Sequence, residues 1–162
     1  MALLKIERGK DNAILRAVSV AVKKINRKMQ KLFLDMKETM DHANGIGLAA
    51  PQIGLNIRVV ICKFNHGTPH QLIVPMINPQ ITHRSKAMSL NEEGCLSLPK
   101  QFDAIARHDS LTVKYLDIRG KENILKLDGL NARIVQHETD HIDGKLYIDH
   151  LGDAVTMRVR KS

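Results

Sequence analysis

Apolar positions recur with a helical period over residues 26–43. Ile25, Met29, Leu32, Phe33, Met36, Met40 and Ala43 fall close to every 3.6 residues, which predicts an amphipathic helix facing a core. Asn26 suits its N-cap and Asn44-Gly45 its stop. Residues 12–24 carry a weaker pattern of the same kind and predict an earlier, less stable helix. The run RVVICKF at 58–64 reads as a buried strand, and 72–77 as a short one whose Pro75 suggests an edge or a bulge. From 111 to 118, Leu111, Val113 and Tyr115 alternate with Thr112 and Lys114, as in a half-buried strand. Arg119-Gly120-Lys121-Glu122 turns it into a further strand near 123–127. Asp128 can then cap a helix over 129–142, which Gly144 ends. Strands and long helices do not alternate as βαβ units, so the fold class is α+β.

At 162 residues the chain suits a single domain over 1–162, with neither repeat nor linker. A hydrophobic fraction of 43% argues against disorder. No apolar run reaches the ~18–20 residues of a membrane span, and the charges that begin at Lys5 exclude a secretory signal. Cys62 and Cys95 are too few for a disulfide scaffold, so reduced thiols are expected. The net charge is +8, and ten of the 25 Lys and Arg fall within residues 1–40. That basic end fits a solvated face better than a single-strand nucleic-acid binder, because three Phe, two Tyr and no Trp leave little to stack bases on.

The sharpest chemical signal is His137-Glu138-Thr139-Asp140-His141, an H-E-x-x-H pattern on the last expected helix. Histidines at i and i+4 share one helix face, so both imidazoles reach one metal ion, and the intervening glutamate can act as general base. A catalytic site needs a third protein ligand and an open position. The candidates are Cys95 and the histidines at 42, 66, 70, 83, 108 and 150. His66 and His70 lie in a polar, loop-like stretch. Cys62 suits an apolar strand, whereas Cys95 is bracketed by Gly94 and acids, which points to Cys95 as a thiolate ligand. The small-residue segment Gly45 to Gly54 lets backbone approach a ligand closely, and Gln52 is its one polar group able to serve as an oxyanion donor.

GIGLAAPQIG, EGCLSLP and QHETDHIDG, in that order, resemble the three signature motifs of the peptide deformylases. These metal hydrolases remove the formyl group from the N-formyl-methionine of nascent polypeptides. The resemblance implies Cys95, His137 and His141 as ligands of one divalent ion per chain, typically Fe(2+), with Zn(2+) or Ni(2+) able to replace it. It implies Glu138 as general acid/base, with the Gln52 amide and the Leu96 N–H as donors to the oxyanion. Ile46, Gly47 and Gly94 would border the substrate backbone. Arg107 would take part in binding, and Ile46, Leu130 and Ile134 would form the methionine pocket. The architecture expected is antiparallel or mixed sheets packed around a central helix carrying His137 and His141.

The chain departs from the family in lacking prolines over residues 10–22, in carrying Phe102 where some relatives have a longer polar residue, and in a short tail after Leu151. That tail keeps Arg158, Arg160 and Lys161, so contact with the ribosome exit region has weak support, and the lysines of 23–37 are an alternative surface for it. A monomer in the bacterial cytoplasm is expected, with an N-formyl-methionyl peptide as substrate and no membrane partner. Two other readings compete: a zinc endopeptidase with a distal third ligand, and a basic ribosome- or RNA-binding module with a structural zinc. The cysteine segment argues against the first. The second needs a fourth protein ligand that is not evident.

Overall fold

The computed structural model of the chain describes residues 2–152. The basic tail residues Arg158, Arg160 and Lys161 lie outside the described residues.

Helix α1 (Ala13–Arg16) is four residues long, capped by the Asn12 side chain on the Ile14 and Leu15 amides. The helix expected over residues 12–24 therefore stops early. The reason lies in Ser19 and Val20, whose backbone is claimed by other segments. Ser19 N–H donates to the Ile142 carbonyl, Val20 N–H to that of Asn56, and Val20 forms a parallel bridge with Ile57. Helix α2 (Arg27–His42) keeps the predicted limits. Asn26 Oδ1 accepts from the amides of Lys28 and Met29 at 3.0 and 3.3 Å, and Phe33, Met36 and Met40 are buried.

Five strands form one sheet in the order β1 (Gly47–Ala49), β2 (Val59–Phe64), β3 (Leu72–Arg84), β6 (Ser110–Leu116) and β7 (Glu122–Asp128), each pair antiparallel. Strand β3 runs well past the expected 72–77, through register shifts around Asn78 and Thr82. Pro75 pairs with Ile61 of β2, while β6 ends at Leu116 opposite Ile77. At Pro75 the strand thus has a single neighbour, where a missing N–H is tolerated.

The hairpin of β4 (Met88–Cys95) and β5 (Leu98–His108) makes a separate two-stranded sheet that the apolar pattern does not announce. Its inner face is ionic, built on Glu93 and Arg107, so no hydrophobic alternation marks it. Helix α3 (Gly129–Ile142) keeps its predicted limits, with Asp128 at the N-cap position but no capping bond from its side chain. Ala132, Ile134, Val135 and Ile142 pack with Val60, Cys62, Met76 and Val113 in one core cluster. Burying that face fixes α3 against β1 and β2, and the helix also touches β5, β6 and β7.

After α3 the chain reverses at Gly144, whose φ is +75° and whose added Cβ would press on the Arg16 carbonyl. Gly144→Ala is expected to destabilise the fold by at least ~1–2 kcal/mol from the left-handed conformation alone, read as a lower midpoint in thermal unfolding.

Candidate active site

A cavity of about 630 Å³ opens between three segments. One wall is Gly45–Gly47, leading into β1. The second is the β4–β5 hairpin with Gly94, Cys95, Leu96 and Phe102. The third is α3, with Leu130, Ile134, His137 and Glu138.

Cys95 ends β4, and His137 and His141 lie one turn apart on α3. A ligand atom from each of the three lies within 4.8 Å of the others, and among the described residues they form the one cluster able to hold a metal ion. Cys95 Sγ is 3.4 Å from His141 Nε2. His137 Nδ1 is 2.9 Å from Glu93 Oε1, which leaves its Nε2 as the nitrogen available to a metal ion. One thiolate, two imidazoles and an acid behind the first imidazole suit an ion with bonds of ~2.0–2.3 Å. The remaining histidines are placed elsewhere: His66 contacts Gln71, His108 the Ser85 carbonyl and His150 Asp140.

The electrostatics favour a thiolate. Burial pushes the Cys95 thiol up, but His141 and His137 outweigh it and hold the group well below the usual thiol range. Burial also drives the Glu138 carboxyl up to about 7, against the opposing pull of His137 and His141. Glu138 is 4% exposed and its Oε2 has no hydrogen-bond partner among the described residues. Its carboxylate lies so close to Gly47 that a Cβ there would overlap it, which explains a glycine at that point of β1.

Gln52 is held in a 3₁₀ turn (Ala50–Ile53) directly after β1. Its Oε1 accepts from Ala49 N–H at 2.9 Å, so its Nε2 is turned toward Ser97 Oγ at 3.2 Å and Cys95 Sγ at 3.5 Å. Leu96 follows Cys95 at the hairpin tip and borders the cavity, as do Ile46, Gly47, Gly94, Leu130 and Ile134. Gly94 lies against the ring of Phe102, its cross-strand partner, which is 63% exposed at the cavity mouth.

Arg107 is the exception among the expected substrate contacts. It is 4% exposed and does not line the cavity. Its Nε and Nη2 donate to Glu93 at 2.9 and 3.0 Å, and its Nη1 to Asp140 at 2.6 Å. A desolvated guanidinium needs such acids around it. Burial raises the Glu93 carboxyl, but His137 and Arg107 overcome this and keep it ionised well below the usual carboxylate range. Glu93, Arg133, Asp140 and Tyr147, whose ring stacks on His137 at 6.0 Å, are site residues that the sequence reading missed. The one local signal was Glu93, two residues before Cys95 and so on the same strand face.

A sequence profile described as polypeptide deformylase matches residues 3–156. The chain belongs to the polypeptide deformylase family. It is 43% identical to the peptide deformylase of Thermodesulfovibrio yellowstonii over 151 residues, covering 93% of this chain and 90% of that one. The crystal structure of the Thermotoga maritima peptide deformylase superposes with a TM-score of 0.87 at 36% identity, covering 93% of this chain and 99% of that one. A Met-Ala-Ser-bound class I type b peptide deformylase from Acinetobacter baumannii gives 0.85 at 34% identity, over 92% and 98% of the two chains. The protein is thus an enzyme of a metal-dependent family that removes the N-formyl group from nascent peptides. Its α+β architecture of antiparallel sheets with few helices agrees with those structures.

Proposed function

We propose that the cavity binds an N-formyl-methionyl peptide and that Cys95, His137 and His141 hold the divalent ion, natively Fe(2+), with Zn(2+) or Ni(2+) as workable substitutes. The observation that carries this reading is the meeting of the three clustered donor atoms with the Glu138 carboxyl and the Gln52 amide where the hairpin, α3 and the turn after β1 converge on the cavity. When bound, the ion supplies a positive charge that acidifies water and polarises the formyl carbonyl. Glu138 takes the proton from the attacking water and returns it to the departing amine. Gln52 Nε2 and the Leu96 N–H donate to the oxygen that gains charge. The backbone of Gly45–Gly47 and Gly94 borders the extended peptide, and Ile46, Leu130 and Ile134 enclose the methionine side chain.

The Met-Ala-Ser held by the A. baumannii enzyme suggests the substrate: the same tripeptide carrying a formyl group. The test is formate release from formyl-Met-Ala-Ser by protein purified anaerobically and loaded with Fe(2+), beside a Cys95→Ala control. Release that is lost in the control supports the reading, and a folded, loaded sample that releases none rejects it. Gln52→Glu keeps the acceptor for Ala49 N–H but removes the amide donor. Its kcat is expected to fall by ~10²–10³ with a much smaller change in KM. A kcat within a few-fold of wild type removes Gln52 from the oxyanion role.

Among the described residues no helix is long and apolar enough to cross a membrane. The reading places the chain in the cytoplasm as a monomer, with the exposed Lys24 and Lys28 as its basic surface toward a ribosome.

A further inference from the structure

Arg133 plays no part in the mechanism above. It lies on α3 one turn before His137, and its side chain crosses from the helix to the β4–β5 sheet. Nη1 donates to Glu93 Oε2 at 2.6 Å and to the Ile105 carbonyl at 2.9 Å, and Nη2 donates to the Ser89 carbonyl at 2.9 Å. Three oxygens on two strands therefore fix the guanidinium in the gap between helix and hairpin.

Two cavities meet there. The active-site cavity lies on one side. On the other is a second space of about 330 Å³, bordered by Ser89, Asn91, His108, Asp109 and Gly129. Glu92, Leu130 and Arg133 line both. Ser89, Asn91 and Glu93 alternate along β4, so the second space continues the strand face on which Glu93 sits.

We propose that Arg133 is a specificity-determining residue. It closes the inner end of the pocket for the first substrate side chain and sets the length that the pocket accepts. The proposal rests on the deformylase reading of the cavity. An unbranched side chain longer than methionine's, following Leu130 and Ile134 inward, meets the guanidinium. Displacing Arg133 would strip Glu93, the buried Ile105 carbonyl and the part-buried Ser89 carbonyl of a donor, so the wall does not yield as an apolar side chain would. Shortening residue 133 joins the two spaces and admits the longer chain.

The test compares kcat/KM for formyl-Met-Ala-Ser and for the same peptide with 2-aminooctanoic acid, whose unbranched side chain is longer, in place of Met. The loaded wild type is expected to favour methionine by at least about tenfold, and R133A to reduce that preference by at least about tenfold. Damage transmitted through Glu93 to His137 lowers both substrates alike and cancels in the ratio. If R133A does not fold, R133Q shortens the wall while retaining a donor for Glu93, and its ratio must move in the same direction. A wild type that turns over both substrates equally, or a variant whose preference equals the wild type's, overturns the proposal. Absence of formate from formyl-Met-Ala-Ser with wild type would instead reject the reading of the site.

Discussion

Glu138→Ala is expected to keep its metal and to lose ~10²–10⁴-fold in kcat. The carboxyl lies beside the ligand cluster without belonging to it. The cluster is Cys95, His137 and His141, and the acid behind His137 is Glu93 rather than Glu138. Glu138 Oε2 is buried with no hydrogen-bond partner among the described residues, so removing it breaks no structural bond at that atom. The gap left beside Gly47 is small and borders the cavity, where water can enter. Metal content measured by atomic absorption should match wild type while kcat and kcat/KM fall together, the signature of a contact made in the transition state. Glu138→Gln, which keeps the shape and loses the proton acceptor, should fall as far. Turnover near wild type in either variant would remove the acid/base role.

The parts of the fold that the sequence announced are those where apolar period and terminal chemistry agree. α2 has an Asn cap and a buried stripe, and α3 runs between Asp128 and Gly144 with its inner face in the main core. β6 and β7 alternate because one face is covered by that core. The β4–β5 hairpin was illegible for a matching reason: the face it turns to α3 is joined by ion pairs. Arg107 and Arg133 both reach Glu93, and Arg107 also reaches Asp140. Polar residues on a strand read as exposed unless their partners are known, and these partners lie 33–40 residues away on α3.

The candidate site divides along the same line. His137, Glu138 and His141 are legible because a helix turn encodes their proximity locally. Cys95 could be chosen over Cys62 because the two sit in contrasting surroundings, and the structure indeed buries Cys62 in the apolar core. Arg107 shows the limit. Its residue type suited a substrate contact, but only the fold reveals that all its bonded nitrogens are committed to Glu93 and Asp140. That commitment links the hairpin bearing Cys95 to the helix bearing the histidines. Desolvating so many charges is costly and is offset only while every partner stays in place. The network is therefore better understood as fixing the relative position of two elements than as a source of net stability.

The second large effect is expected at Cys95. In the proposed site Cys95→Ala removes the one anionic donor of the cluster and leaves two imidazoles on a single helix turn. Outer partners of metal ligands contribute ~10–100-fold to affinity, so loss of a direct thiolate should weaken binding by more than about 100-fold. The fold should persist, because Cys95 packs only at the border of the small cluster of Leu98, Ile105, Leu146 and Tyr147. Competition with a calibrated chelator reads the affinity, and the circular dichroism spectrum checks the fold. Deformylation should follow occupancy and vanish at stoichiometric metal. Cys95→Asp is the discriminating companion, since a carboxylate retains the negative charge and a ligand atom. It should recover part of the affinity lost in Cys95→Ala, whereas a residue that merely packed against Leu98 would lose more with Asp than with Ala. Full metal retention in Cys95→Ala would move the third ligand elsewhere and return the endopeptidase-like arrangement of His137, Glu138 and His141 to consideration.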